Sequence, residues 1–122
     1  MKKIIIICMI LLCGCTTSAK VNKTKNQNLF DKTNFSNYQN IMIVAHPDDE
    51  SIWGGIHLLQ NNYLVICLTN GNNQTRAKEF YKVMEQTHNT GIILDYPDKT
   101  NGKRDNWKKV YHDIEEDLNY IL

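Results

Sequence analysis

The sequence lacks a long apolar run, is poor in proline and glycine, and carries almost no net charge. Its longest apolar run, residues 4–12, has nine residues, whereas a helix needs about 20 to cross a membrane. Two prolines and six glycines among 122 residues exclude a collagen-like or Pro/Gly-rich low-complexity chain. The 14 basic and 13 acidic side chains leave a net charge of +1, without the basic excess that nucleic-acid binding needs. With 42% hydrophobic residues, the composition is typical of one globular domain without a nucleic-acid partner.

The N-terminus has the pattern of a bacterial secretion signal that ends in a lipid attachment site. Two lysines precede the apolar run, and Gly14 and Cys15 follow it closely. This junction resembles the lipobox of bacterial lipoproteins, in which the cysteine is acylated and becomes the mature N-terminus. We therefore predict that residues 1–14 are removed and that Cys15 anchors an extracytoplasmic protein to the cell membrane. The alternative is an ordinary signal peptide that is cut near residues 18–19.

The segment that follows the anchor differs in composition from the rest of the chain. Residues 15–37 are dominated by Lys, Asn, Thr and Gln. So few apolar side chains would not compensate by packing for the entropy lost on ordering, which predicts a flexible polar tether. The folded domain is then expected over residues 38–122. Cys67, within an apolar run of that domain, is expected to be a buried thiol without a disulfide and without chemistry.

Three continuous apolar runs in the domain are typical of parallel strands that are covered on both faces. They occupy residues 41–45, 64–68 and 92–94. Between and after these runs, apolar residues recur with the period of a helix. The order β-α-β-α-β-α predicts an α/β fold, a Rossmann-like parallel sheet with helices on both faces. The three predicted apolar helix faces consist of Ile52, Trp53, Ile56 and Leu59; of Phe80, Val83, Met84 and Thr87; and of Trp107, Val110, Tyr111, Ile114, Leu118 and Ile121.

The loop after the first predicted strand concentrates the reactive side chains. Ligands bind beyond the carboxyl ends of the strands in such sheets, and Pro47 should keep His46 extended over that end. Asp49 follows a tight turn, where its carboxylate can meet the imidazole on one Zn²⁺ ion, while Asp48 stays free to face what the ion binds. A general base beside such an ion would activate water, so the pattern favours hydrolysis. The alternative is that the acidic residues 48–50 only cap the following helix.

The hexapeptide Ala-His-Pro-Asp-Asp-Glu at residues 45–50 resembles the signature of the PIG-L, or LmbE-like, family. Members of that family are zinc-dependent de-N-acetylases that act on N-acetylglucosamine-type substrates. Similar residues at 54–55, 69–71 and 96–98, together with Arg76, extend the resemblance over roughly residues 40–122. The implied fold agrees with the one that the hydrophobic pattern predicts.

The resemblance implies a role for each matching side chain. His46 and Asp49 would be zinc ligands, and Asp48 would be the general base. Arg76 and Asp98 would hold the substrate, an amino-sugar-containing small molecule or glycan. Two plainer alternatives stay open, because Arg76 has a helical neighbour in the acidic residue 79 to pair with, and Asp98 follows a proline in a turn.

The expected zinc site is incomplete in this chain. Zinc hydrolases usually use three protein ligands, and in the family the third is a histidine from a later segment. We therefore expect these 122 residues to be the N-terminal part of a longer deacetylase, interrupted after the third βα unit and impaired in activity. The rival hypothesis is a receiver-like, non-enzymatic Mg²⁺ module or an inactive binding remnant, since receivers also place paired acids after the first strand. His46 argues against magnesium, because imidazole is a ligand suited to zinc.

Overall fold

The computed structural model describes residues 24–122, which form a parallel sheet of order β1-β2-β3 between helices on both faces. The predicted Rossmann-like α/β class is therefore confirmed. The strands are β1 (Asn40–Val44), β2 (Tyr63–Thr69) and β3 (Thr90–Tyr96), followed by an antiparallel ribbon of β4 (Lys99–Thr100) and β5 (Lys103–Arg104). The helices are α1 (Lys25–Phe30), α2 (Asp49–Ile52), α3 (Gly55–Gln60), α4 (Gln74–Thr87) and α5 (Tyr111–Ile121), with a 3-10 turn at Phe35–Asn37.

The central strand β2 builds two separate cores because its side chains alternate between the faces of the sheet. Leu64, Ile66 and Leu68 pack with α1 and α5 on one face. Val65 and Cys67 pack with α3 and α4 on the other. Burial of each large aliphatic side chain contributes about 1.5–3 kcal/mol, and among the described elements β2 supplies the most buried hydrophobic side chains.

The contact between β3 and α4 requires a glycine. A Cβ atom on Gly91 would lie 2.5 Å from Cε1 of Phe80 and 2.7 Å from Cγ of Met84. Both of these α4 side chains are buried, as their helical spacing predicts. The absence of a side chain at Gly91 therefore sets how closely the helix approaches the sheet.

The prediction of a flexible tether over residues 15–37 is wrong for residues 24–37. Thr24 caps α1, because its Oγ1 accepts a hydrogen bond from Gln27 N at 3.1 Å and its backbone N–H donates to Gln27 Oε1 at 3.2 Å. Phe30 is fully buried in the core and stacks against Tyr120 of α5. One capping box and one buried aromatic side chain thus order a segment whose average composition is polar. Residues 15–23 lie outside the described residues.

The first predicted helix is broken, and its predicted apolar face is exposed. The helices α2 and α3 meet at Gly54, where a Cβ would lie 2.7 Å from Sδ of Met42. The residues that face the sheet are spaced by four and are Glu50, Gly54 and Leu58. Only one of these three is a large apolar residue, so the hydrophobic pattern pointed to another side of the helix. The predicted face is 63% exposed at Ile52, 81% at Trp53, 70% at Ile56 and 75% at Leu59.

The third predicted helix begins later than its apolar pattern indicates. It starts at Tyr111, which is exposed, whereas Ile114 and Ile121 are buried as predicted. Trp107 lies before the helix with a positive φ of 52°, half-buried against the core. Its indole N–H donates to the carbonyl of Pro97 at 2.6 Å, so this residue packs as predicted but also fixes a loop.

No helix among residues 24–122 combines the length and the apolarity that a membrane crossing requires. The signal peptide predicted over residues 1–14 and the lipid attachment at Cys15 lie outside the described residues and stay predictions.

Candidate functional site

The loops after β1, β2 and β3 meet at one edge of the sheet, because parallel strands end on the same side. They surround an open cavity of about 960 Å³. All five site residues predicted within the domain line this cavity, namely His46, Asp48, Asp49, Arg76 and Asp98. The structure therefore brings together side chains that are up to 52 positions apart in the sequence.

The turn after β1 is closed by Asp49. Its Oδ2 accepts a hydrogen bond from the backbone N–H of His46 at 3.0 Å and lies 3.3 Å from His46 Nδ1. Asp49 thereby holds both the backbone and the ring of the histidine. The convergence of these two side chains was expected from the sequence, and the structure has it.

Asp48 has a strained backbone at the start of α2. Its φ of 153° and ψ of −26° belong to a region that non-glycine residues rarely adopt, at a cost of about 1–3 kcal/mol. The buried carboxylate of Glu50 stabilises this conformation, since its Oε2 accepts a hydrogen bond from Asp48 N at 2.9 Å. Asp48 makes no side-chain capping bond to α2, so helix capping does not explain this residue. Its side chain is about half exposed and faces the cavity.

The imidazole of His46 lies between two carboxylates. Its Nδ1 is 3.3 Å from Asp49 Oδ2, and its Nε2 is 3.2 Å from Asp98 Oδ1. A neutral imidazole carries one N–H, so one nitrogen can donate while the other presents a lone pair to a carboxylate oxygen. Two lone pairs at that distance repel each other unless a proton or a metal ion lies between them.

The spacing of His46 and Asp49 fits two ligands of one zinc ion. Two donors at about 2.0–2.1 Å from a tetrahedral zinc lie about 3.3 Å apart, and Nδ1 and Oδ2 have this separation. Among residues 24–122, however, no three His, Cys, Asp or Glu side chains come close enough together to hold one metal ion. The described residues therefore supply two of the four ligands of a tetrahedral zinc ion, and the remaining ligands would have to come from other donors.

Arg76 connects the first loop to α4. Its Nη2 donates hydrogen bonds to Asp48 Oδ2 at 2.9 Å and to the carbonyl of Pro47, while its Nη1 donates to Glu79 at 2.9 Å. Burial alone would lower the pKa of Arg76. Its hydrogen bonds and charge interactions with Asp48 and Glu79 raise the pKa by more, so the net shift is upward. The pairing with Glu79, weighed as the plainer alternative, is present. The guanidinium also orients Asp48, a contact that the sequence did not indicate.

Asp98 is more enclosed than a residue that only follows a turn. Its side chain is 17% exposed, and Oδ1 is buried without a hydrogen bond of ordinary geometry from any described residue. Its Oδ2 accepts a hydrogen bond from Asn70 Nδ2 at 3.4 Å. Asn70 in turn donates to Thr69 Oγ1, which donates to the carbonyl of Ala45, so one chain of contacts joins the three loops.

Cys67 has no part in this site. It is fully buried in the α3/α4 core, and burial raises the pKa of its thiol to about 12. A buried thiol with such a pKa is protonated at neutral pH and is therefore a poor nucleophile. The predicted burial of Cys67 is confirmed, whereas its lack of a disulfide and of chemistry stays a prediction, since the other cysteines lie outside the described residues.

Three supporting residues were missed in the sequence. Glu50 stands among acidic neighbours in the sequence, and its spacing of four from Gly54 is the signal that it faces the sheet. Asp117 is 1% exposed and accepts a hydrogen bond from the Tyr96 hydroxyl at 2.6 Å. Neither Asp117 nor Trp107 carried a sequence signal for the loop that it fixes.

Comparison with known proteins adds one distant relative. No protein-family model matches the sequence, and no solved structure is significantly similar to it. The uncharacterized protein L374 of Acanthamoeba polyphaga mimivirus is 33% identical over 92 residues, which cover 62% of this chain and 41% of that protein. The chain thus spans about two fifths of the length of this relative, whose name states no activity.

Proposed function

We propose that this chain carries the metal-binding and proton-transfer residues of a zinc-dependent hydrolase that removes the N-acetyl group from an N-acetylglucosamine-type substrate. The observation that supports the proposal most is the spacing of His46 Nδ1 and Asp49 Oδ2 beside the half-exposed Asp48. The hexapeptide that supplies these residues resembles the signature of zinc-dependent de-N-acetylases. The substrate class is part of the proposal and comes from that resemblance.

His46 and Asp49 would hold the zinc ion, with further donors completing its coordination. When bound, zinc polarises an amide carbonyl and makes water more acidic. Asp48 would then take a proton from the attacking water and pass it to the leaving amine. The ion pair with Arg76 engages Oδ2 of Asp48, so Oδ1 is the oxygen assigned to proton transfer. The cavity of about 960 Å³ is large enough to admit a sugar residue.

The rival magnesium module needs its carboxylates on one ion, and the arrangement of the site disfavours this. The imidazole of His46 lies between Asp49 and Asp98, with one nitrogen facing each. A magnesium ion prefers oxygen ligands and water, so an imidazole between the two carboxylates would obstruct it. Anchoring through an acylated Cys15 belongs to the same proposal and would bring the domain to glycans of the cell envelope.

Zinc affinity of four variants tests the assignment. Competition with a chromophoric chelator should show that His46→Ala and Asp49→Ala weaken zinc binding at least about tenfold. Asp48→Asn should bind zinc as the wild type does, because it removes no ligand. The control is His112→Ala, since within residues 24–122 this exposed histidine on α5 forms ion pairs with glutamates of its own helix and not with the site.

A catalytic readout separates the base from the ligands. In any form of the protein that releases acetate from a chitobiose-type substrate, Asp48→Asn should lower the rate about 10²- to 10⁴-fold while zinc stays bound. Zinc binding that His46→Ala leaves unchanged, or a preference for magnesium over zinc, would contradict the proposal. Wild-type turnover by Asp48→Asn would remove the base assignment alone.

A further inference from the structure

We propose that Asp98 is a positioning residue for His46. Its carboxylate accepts a hydrogen bond from His46 Nε2, so that Nδ1 of the same ring is left as the metal-binding nitrogen. The inference rests on the proposed zinc site and gives Asp98 a role other than the substrate contact that the family resemblance implies. In this proposal the Asp98 carboxylate determines which nitrogen of the His46 ring carries the proton.

The first support is the position of Oδ1. This oxygen is buried, has no hydrogen bond of ordinary geometry within the described residues, and lies 3.2 Å from His46 Nε2. A buried carboxylate oxygen without a donor is costly, and a small rotation of the imidazole would supply the N–H. Because a neutral ring carries one N–H, placing it on Nε2 leaves the Nδ1 lone pair facing Asp49. That lone pair is what a metal ion shared with Asp49 requires.

The second support is the rigidity of the loop that carries Asp98. Each of the residues 96–98 makes a hydrogen bond to a more distant part of the chain. The Tyr96 hydroxyl donates to Asp117 at 2.6 Å, the Pro97 carbonyl accepts from Trp107 Nε1 at 2.6 Å, and the Asp98 carbonyl accepts from Asp105 N at 2.8 Å. A side chain on such a loop holds its neighbour in a defined orientation, as ligand-supporting residues do.

A neighbouring carboxylate shows the contrast. Asp95 also lines the cavity, but its side chain accepts a hydrogen bond from the backbone of Asn72 and has no contact with His46. Asp95 is exposed, whereas the Asp98 side chain is mostly buried and lies 3.2 Å from the imidazole. Replacing either residue removes one negative charge from the cavity, so Asp95 provides a matched control for long-range electrostatics.

The experiment combines zinc affinity with nitrogen-15 NMR of the histidine rings in the metal-free chain. The His46 signals are assigned by their loss in His46→Ala. In the metal-free wild type Asp49 and Asp98 compete for the single N–H, so we expect the form with the proton on Nε2 to be populated. In Asp98→Ala we expect the proton to move to Nδ1, which faces Asp49, and zinc affinity to fall about 10- to 100-fold. Asp98→Asn, which retains an acceptor oxygen, should keep the tautomer and lose less affinity. Asp95→Ala should change neither quantity.

The two readouts distinguish the possible failures. If Asp98→Ala keeps the His46 tautomer and the zinc affinity of Asp95→Ala, Asp98 does not position His46. If Asp98→Ala shifts the tautomer while zinc binding is independent of His46, Asp98 still orients the ring but the proposed zinc site is wrong. Circular dichroism of each variant verifies the fold. Should the alanine variant unfold, Asp98→Leu, which fills similar space but has no acceptor oxygen, replaces it in both comparisons.

Discussion

Replacing Asp117 by alanine should loosen α1 and the loop after β3 together. The Asp117 carboxylate is 1% exposed and accepts three hydrogen bonds. The donors are Thr24 Oγ1 at 3.0 Å, Asn26 Nδ2 at 2.6 Å and the Tyr96 hydroxyl at 2.6 Å. Two of them belong to the segment before β1, which the composition alone had assigned to a tether.

The expected loss of stability follows from these contacts. A hydrogen bond to a charged acceptor contributes about 1.5–3 kcal/mol, and Asp117→Ala removes three. Thr24, Asn26 and Tyr96 are only half-buried, so water would replace part of what they lose. We expect a decrease of about 2–4 kcal/mol in the free energy of unfolding, a large part of the roughly 5–15 kcal/mol of a typical domain.

Urea denaturation followed by circular dichroism measures this difference, with Glu115→Ala as the control. Glu115 lies on the same helix, is about half exposed, and should cost no more than about 0.5 kcal/mol. Limited proteolysis of Asp117→Ala should also cut residues 24–37 faster, because α1 would lose two of its attachments. Equal stability of the two variants, with unchanged proteolysis, would refute the claim that Asp117 orders this segment.

Four further predictions concern single positions. Gly91→Ala should destabilise the fold by about 1–3 kcal/mol in urea denaturation, because its Cβ would overlap core atoms of α4, whereas Gly55→Ala, with open space around it, should not destabilise it. Cys67 should react with iodoacetamide orders of magnitude more slowly in the folded than in the urea-unfolded chain at pH 8, since burial raises its thiol pKa to about 12. Burial and then the hydrogen bond to a carboxylate raise the pKa of Tyr96 above its usual 10.0. Above pH 10 the unfolded chain ionises before the folded one, so the stability that Tyr96 provides is complete below pH 10 and is lost as the pH rises. Unfolding of Tyr96→Phe should therefore be less sensitive to alkali. Metabolic labelling with a fatty-acid analogue should mark the wild type and fail in Cys15→Ser, and persistent labelling of that variant would exclude this attachment site.

The sequence was sufficient to predict which loops form the site. Continuous apolar runs identified the three parallel strands, and topology alone then brings their carboxyl ends to one edge. The proximity of His46 to Asp49 follows from the tight turn after Pro47. The approach of Asp98 to the other ring nitrogen could not be predicted, because it depends on how three distant side chains fix one loop.

The order of residues 24–37 shows the limit of composition as evidence. A polar average predicts disorder when the few apolar residues have nowhere to pack. Here Phe30 alone is fully buried, and Asp117 gathers the polar side chains of Thr24 and Asn26. The capping pattern of Thr24 and Gln27 was readable in the sequence, but the buried carboxylate that joins α1 to α5 was not.

The exposed face of α2 and α3 shows the corresponding limit of hydrophobic periodicity. The strand β1 is as apolar as β2, yet none of its residues 40–44 is fully buried, whereas residues 64–69 of β2 all are. The difference is one of neighbours, because β2 has a strand on each side and β1, within the described residues, has one. Leu58 faces the sheet and is buried, whereas the apolar residues Trp53 and Ile56 lie on the other side of these helices and are exposed. A periodic pattern therefore identifies surfaces suited to burial, while the elements packed against them decide whether burial occurs.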